Sequence, residues 1–477
     1  MNIAEISLLL VRHEGFLLSH PLVRSTGVSL PLPPAFYHPL SLPSPLEIAH
    51  FDGQIGSVTS LFHPPALGIS PTYGMSSGSL KAEKPRAVDL PIQPSSQSGD
   101  LLLVPATPVE YVQTAQLNAD EWRGPLTLEQ YLDREKHLQS QDLTKDGRIT
   151  GWILTSSTLP PNADSTRPIL ASCETIPVAA YIARNGHLDR VTAHGIGSVY
   201  TRPEHRGKGY AGRMMTELGK QLETWQQPNG KKGSFSVLYS DIGQNFYTRF
   251  GWNVFPSTHI HLLPLKPAQY QSARQGLPPI EDVTAADLSN IPSVQHLEEE
   301  LETLSKNRPE TIHVAIRPDA DHFGWHHARE EFQTRVLGKS YPKIKGAIHQ
   351  PTGIALIWCR VYATKAEDWK LHVLHVVIPS TAKSSSQAQE ALAALLLRAQ
   401  LEAHNWEMAS GVEVWDPSDL VLAAAQRLRV QEQGKVEVIA RDQDHICSLR
   451  WNRSSDDTAP VPDDNIVWVS NEKYAWC

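Results

Sequence analysis

The period of hydrophobic and polar positions changes several times along this chain. The changes outline two successive α/β units behind a long irregular stretch. Residues 1–98 are Pro- and Ser-rich, crowded at 31–45 and 64–94, with no sustained helix or strand period. A stretch without a continuous apolar face cannot offset its ordering entropy, which predicts a mostly disordered extension. Leu101-Leu102-Leu103-Val104 then opens a folded unit. Helices are predicted over 108–116 and 126–138, and strands over 148–154 and 168–176. A strand over 196–201 follows. Next comes a helix over 213–225 with Met214, Met215, Leu218 and Leu222 on one face. A strand over 235–239, a short helix over 244–250 stopped by Gly251, and a strand over 253–263 close the unit. This order predicts an α/β fold, a mixed sheet with helices on both faces.

Residues 264–279 read as a linker, after which the pattern repeats coarsely. A short strand into a helix start over 280–288 leads to helices over 291–306 and 325–337 and strands over 344–348, 353–362 and 370–378. An apolar helix over 388–405, a strand over 411–415 and a helix over 417–428 complete the second half. The last strand-like run, 466–469, precedes Asn471-Glu472-Lys473-Tyr474-Ala475-Trp476-Cys477. A tail with Tyr474 and Trp476 is expected to dock, since free termini fray unless tied down.

The densest chemistry lies at 199–212, Val-Tyr-Thr-Arg-Pro-Glu-His-Arg-Gly-Lys-Gly-Tyr-Ala-Gly. Pro203 ends a strand ladder, and a Gly-rich turn leads into a helix N-terminus. Such a turn aims free N–H groups and the positive end of the helix dipole at one spot, which suits a pyrophosphate. Gly207 and Gly209 admit the close approach, and Arg206 and Lys208 add charge. No Gly-Lys-Ser/Thr follows, so this is not a Walker loop, and the third glycine of a dinucleotide fingerprint is missing.

Arg206-x-x-Gly209-x-Ala211 resembles the acyl-CoA signature of the Gcn5-related N-acetyltransferase (GNAT) family. Phe246-Tyr247-Thr248-Arg249-Phe250-Gly251-Trp252 resembles a second segment of the same family, in the right order. Further runs are similar to fungal lysine N6-acetyltransferases of lysine catabolism. Among them are Glu121–Leu126, Leu143–Gly147, Ile169–Thr175, His194–Val199 and the terminal Asn471–Cys477. The resemblance implies a GNAT acyl-CoA N-acyltransferase fold over 99–265 and acetyl-CoA as co-substrate. It implies direct transfer to an amine in a ternary complex, with L-lysine as the acceptor. Backbone groups of Val199, Tyr200 and Thr201 would hold the pantetheine and polarise the acetyl carbonyl. Arg206, Gly207, Lys208, Gly209, Tyr210, Ala211 and Gly212 would hold the pyrophosphate, and Tyr247 would protonate the leaving thiolate. Glu174, His194 and Asp241 are the candidate bases, beside water chains. The Cys477 carboxylate is a further candidate, by likeness to bacterial enhanced-intracellular-survival enzymes. In the second half, over 280–477, Pro379–Gln387 stands at the place of the pyrophosphate loop but has no glycine. That half is expected to be a degenerate GNAT-like domain that does not bind CoA in the usual way.

Composition narrows the partners. A formal net charge of −8 without a Lys/Arg-rich block argues against nucleic acid. No run reaches the roughly 18 apolar residues of a membrane span, and 6–11 is too short for a secretory signal. Cys173, Cys359, Cys447 and Cys477 are far apart, which implies a reducing compartment and no metal, and a cytoplasmic location is expected. His326-His327 reads as a solvated helix face. Two classes stay open. One is an acetyltransferase, for lysine or for another amine such as a polyamine, an aminoglycoside or a protein lysine. The other is a non-catalytic acetyl-CoA-binding protein.

Overall fold

Two threonine boxes start the first helices. Thr107 accepts from Glu110 N while the Glu110 carboxylate accepts from Thr107 N, and Thr127 and Gln130 repeat the exchange. The structure is a computed structural model that describes residues 93–227, 233–428, 436–452 and 465–476. Of the expected extension, residues 1–92 lie outside the described residues, as does Cys477.

The first part of the chain runs β1 (Leu101–Pro105), α1 (Pro108–Trp122), α2 (Leu128–Gln139), β2 (Thr150–Ser156), β3 (Ala171–Arg184), β4 (His187–Thr201), α3 (Tyr210–Gln221), β5 (Phe235–Ser240), α4 (Asn245–Thr248), β6 (Asn253–Val254), β7 (Thr258–Leu262) and α5 (Pro267–Ala273). It continues through β8 (Glu281–Thr284), α6 (Ser293–Asn307), β9 (Ile312–Ile316), α7 (Ala320–Val336), β10 (Ile344–His349), β11 (Ile354–Val361), β12 (Lys370–Val377), α8 (Ser380–Lys383) and α9 (Ala388–Asn405). The end is β13 (Val412–Trp415), α10 (Asp419–Arg427), β14 (Val438–Ala440), β15 (Ile446–Trp451) and β16 (Ile466–Trp468).

The strands form two mixed sheets, as the sequence predicts. One is ordered β1-β2-β3-β4-β5-β15-β6, with β9 on β3 and β16 on β9; the other is β14-β7-β13-β12-β11-β10-β8. Each contains a parallel pair that separates part-way. β4 and β5 pair from His194–Ser236 to Ile196–Leu238, and β12 and β13 from Leu371–Val412 to Val373–Val414. In each sheet a bulge follows at once: Ser172 and Glu174 on β3 face Tyr200 and Gly197, and Ile357 and Trp358 on β11 face His375 and Val373. The second half thus repeats the architecture of the first.

The structure corrects several details. The strand expected over 253–263 breaks at Pro256 into β6 and β7, which belong to different sheets, and β15 returns from near the chain end to lie between β5 and β6. The two halves therefore exchange strands across the expected boundary at 265. The expected linker carries α5, whose Tyr270 is buried in the second core. His326 and His327 are not on a solvated face. Both are buried, with Nε2 atoms bonded to the carbonyls of Tyr474 and Trp358, because α7 is covered on most sides. Among the described residues no helix is long and apolar enough to cross a membrane.

The C-terminal tail is docked. Tyr474 is fully buried and its hydroxyl donates to the Ile316 carbonyl at 2.6 Å. Glu472 accepts from Val376 N at 3.1 Å and pairs with His375, while Asn471 N donates to Asp416 at 3.0 Å.

A chain of alternating charges crosses the second half: Asp282–Arg398–Glu402–Arg360–Glu330–Lys345–Glu331. Glu330 is its buried centre. It lies 3.0 Å from Lys345 Nζ, pairs with the Arg360 guanidinium, and accepts from Arg360 N at 3.1 Å. Glu330→Ala leaves two buried cations short of a counter-charge and should cost about 3–5 kcal/mol. Asp120→Asn, at an exposed pair with Arg123, should cost at most about 1 kcal/mol. Urea unfolding midpoints compare them, and equal shifts would contradict the network's role.

Candidate functional site

The site starts where β4 leaves β5. Pairing ends at Ile196–Leu238, so the edge of Gly197–Thr201 that faces β5 has no ladder partner there. Ser198 sits in the left-handed region at φ 52°, at the bulge opposite Glu174. A cavity of about 180 Å³ opens at this divergence. Gly195–Val199, Glu174, Asp241 and Tyr247 lie on its wall, together with Tyr111, Arg134, Arg329 and Trp476.

Glu174 is the central acid. It accepts from the Tyr111 hydroxyl at 2.9 Å and the Ser198 hydroxyl at 3.3 Å. Burial first, and the nearby charge of Glu135 second, push its carboxyl up to about 7. Tyr247 is almost fully buried on α4, and its hydroxyl has no hydrogen bond among the described residues. Burial holds that phenol above its ordinary value, so it stays protonated at neutral pH. Asp241 borders the cavity with the opposite tendency. Burial raises its carboxyl, but the hydrogen bonds and charge of His445 more than offset that and hold it below the ordinary range.

The Gly-rich turn lies at the far end of β4. Gly209 is the N-cap of α3 at φ +85° and offers no side-chain cap, so the first-turn N–H groups have no side-chain partner from that residue. Gly207 is at φ +77°, and a Cβ there would meet no atom within 4 Å. Arg206 donates to the Thr201 carbonyl at 3.0 Å and pairs with Glu121 at 3.1 Å. The last residues of the expected extension pack here. Lys208 Nζ donates to Gln93 at 2.8 Å, the Tyr210 hydroxyl to the Pro94 carbonyl at 2.6 Å, and Arg213 to the Ser96 and Ser98 carbonyls. Residues 93–98 are thus a strap on the turn.

Residues 169–255 match the family model described as an acetyltransferase (GNAT) domain, and residues 261–477 the one described as the LYC1 GNAT-like C-terminal domain. The chain belongs to the GNAT family. An uncharacterized protein of Saccharomyces cerevisiae is 24% identical over 418 residues, 80% of this chain and 99% of its own length. A lysine acetyltransferase of Yarrowia lipolytica is 28% identical over 160 residues, 31% of this chain and 38% of its own length. Among solved structures, a GCN5-related N-acetyltransferase from Kribbella flavida is 15% identical with a TM-score of 0.43, over 74% of this chain and 71% of that one.

This GNAT chain brings some predicted residues together and leaves others apart. Glu174, Asp241, Val199 and Tyr247 share the cavity. His194 does not reach it. It is buried on β4, and burial lowers its imidazole to about 4. Tyr200 and Thr201 lie beyond the cavity wall, with the Tyr200 ring against Trp122 and under Arg206. Tyr210 and Gly212 serve packing: the first is a buried anchor for the strap, and a Cβ on the second would meet the Phe250 ring at 2.8 Å. Ala211 is partly buried on the first turn of α3. Trp476 belongs to the tail expected to dock. Tyr111, Arg134 and Arg329 were missed by sequence reasoning, since each lies in an ordinary helix and no motif marks it.

The proton on Glu174 links stability to pH. Its unfolded value is near ~4.3, against about 7 when folded. Between these the folded chain holds a proton that the unfolded chain has lost. Stability is fullest below the unfolded value and falls as pH rises to about 7. Glu174→Gln lacks this dependence. Its loss of thermal midpoint between about pH 5 and about pH 8 should be smaller than that of the wild type. An identical loss in both proteins would show that Glu174 does not titrate in this window.

Proposed function

We propose that this chain transfers the acetyl group of acetyl-CoA to the ε-amine of free L-lysine, in one ternary complex. The observation that carries the reading is the convergence of Glu174, Asp241 and the unpaired Tyr247 hydroxyl on one cavity at the β4/β5 divergence. The choice of lysine draws on the similarity to the Yarrowia lipolytica lysine acetyltransferase.

The roles follow from the proton affinities. Lysine ammonium titrates near ~10.4 and only the neutral amine attacks. Asp241, ionised at neutral pH, holds the incoming ammonium. Glu174, poised at about 7, takes its proton. N–H groups of the Gly197–Val199 bulge polarise the acetyl carbonyl as negative charge develops on its oxygen. Tyr247 gives its proton to the departing thiolate and regains one from solvent. The turn at Gly207–Gly209 and the N-terminus of α3 hold the pyrophosphate.

Thiol release from acetyl-CoA, measured with free lysine, a polyamine, an aminoglycoside and a lysine peptide, tests the reading. Turnover should be fastest with lysine, and absence of turnover with every amine would reject an enzyme. Gly207→Asp isolates the pyrophosphate site. Aspartate tolerates the left-handed conformation and the position has room, so the fold should survive while the added charge repels the ligand. Calorimetry should show acetyl-CoA binding weakened at least about tenfold, and unchanged affinity would remove the turn from the site. Tyr247→Phe should lower kcat by about 10²-fold, the low end for a general acid because the thiolate leaves readily. Its acetyl-CoA affinity should be kept, and a wild-type kcat would take Tyr247 out of the mechanism.

A further inference from the structure

Two guanidinium groups, those of Arg134 and Arg329, border the same space, and Glu135, paired with the first, is the carboxylate nearest to both by charge. α7 carries Arg329 to the wall shared by the 180 Å³ cavity and a neighbouring one of about 460 Å³ that runs along the second half. Among the described residues Arg329 has no hydrogen bond or ion pair; its guanidinium lies 5.4 Å from the centre of the Trp476 ring. Arg134, from α2, borders both cavities too and is only 3% exposed. Its Nε and Nη2 hold Glu135 at 2.9 and 2.6 Å, while its Nη1 is buried without a partner.

Most of the carboxylates around them are engaged: Glu174 accepts from Tyr111 and Ser198, while the exposed Asp368, on the wall of the larger cavity, has no side-chain partner among the described residues. Glu330 serves Lys345 and Arg360, and Glu331 serves Lys345 and Tyr341. Glu121 pairs with Arg206 and Asp241 with His445. Glu135 is shared with Arg134. Arg329 is half-buried, and even a partly desolvated cation without a counter-charge is costly. Burial, and then the charge of Arg134, pull Arg329 down to about 10, far below an ordinary guanidinium. An open guanidinium fork matches a planar carboxylate with two parallel N–H···O bonds.

We infer that Arg329, seconded by the free Nη1 of Arg134, binds the α-carboxylate of a free amino-acid substrate. The inference rests on the acetyltransferase reading above and narrows its acceptor to amines that carry a carboxylate. A polyamine has no such group, and neither does a lysine inside a peptide chain. Glu174 and Tyr247 then meet the reacting amine, and α7 of the second half meets the other end of the molecule.

The test compares L-lysine with L-lysinamide, which lacks only the anionic charge, in the thiol-release assay at saturating acetyl-CoA. The wild type should favour L-lysine in kcat/KM. Arg329→Gln should reduce the L-lysine to L-lysinamide ratio roughly 10–100-fold, mostly through KM, as loss of a charged hydrogen bond predicts. Arg329→Lys should restore part of the ratio. Acetyl-CoA affinity of Arg329→Gln, read by calorimetry, should be unchanged and reports that the variant is folded. If that variant does not fold, Arg134→Gln carries the same test with the same expected direction. A wild-type ratio near one, a ratio unmoved by the substitution, or a loss confined to acetyl-CoA binding would overturn the inference. A wild type that ignores lysine but prefers other amino acids over their amides, dependent on Arg329, would reject lysine and uphold the carboxylate site. Turnover of carboxylate-free amines alone would reject the site and leave the acetyltransferase reading intact.

Discussion

A parallel strand pair that stops pairing part-way is the constraint on which both halves are built. Beyond the last rung, each strand presents backbone N–H and C=O groups that no ladder satisfies, and such groups need another partner. In the second sheet the partner is the chain's own tail. Glu472 takes the Val376 N–H on β12, and Asn471 N reaches Asp416 just past β13. The tail therefore bridges the two diverging strands. In the first sheet the divergence between β4 and β5 opens on the 180 Å³ cavity. The second divergence keeps a cavity of about 280 Å³ beside the tail, lined by His375–Ile378, Asp416–Ser418 and Val469, Ser470 and Glu472, but the tail spans its strands, whereas the first cavity is bordered by Glu174, Asp241 and Tyr247.

Docking the tail at the second cleft has consequences for the first. With Glu472 and Tyr474 fixed, the tail carries Lys473 and Trp476 toward the cavities. Lys473 Nζ lies 4.4 Å from the centre of the Trp415 ring and 3.7 Å from that of Trp476, and burial pulls its amine down to about 7. The strand exchange works in the same sense. β7 binds the first half's chain into the second sheet, and β15 in turn enters the first sheet between β5 and β6. The halves therefore cannot separate without breaking both ladders, which suits a site assembled from both.

The parts of this arrangement that are local were legible in the sequence. The Gly-rich turn, the caps and the apolar face of α3 depend on neighbours within a few residues, and the turn chemistry states them directly. The repetition of strand and helix order revealed the second half. Long-range choices were not legible. Nothing in Thr258–Leu262 says which sheet it joins, because its alternation suits either. His326 and His327 mislead because a polar pair on a helix normally signals solvent, whereas α7 is buried on several faces and satisfies each imidazole with a backbone carbonyl. His194 was a plausible base by position on β4, but strand alternation turns it into the core. Arg329 carried no signal at all, since its character comes from which carboxylates are already taken.

That last point explains the asymmetry of the two halves. The groups suited to thioester chemistry (Glu174, the β4 bulge, Tyr247) all belong to the first half and lie within the segment matched to the GNAT domain. The second half has no glycine at the place of the pyrophosphate turn, and its tail spans the cleft between its diverging strands. It still gives the cavity wall Trp325, Arg329 and Trp476. These are aromatic and cationic groups, suited to gripping an acceptor molecule rather than moving its protons. A degenerate repeat is then not a remnant. Its charge network pairs Glu330, the residue next to Arg329, with Lys345 on β10 and Arg360 on β11, and so ties α7 to the second sheet beside the cavity wall that carries the Arg329 guanidinium.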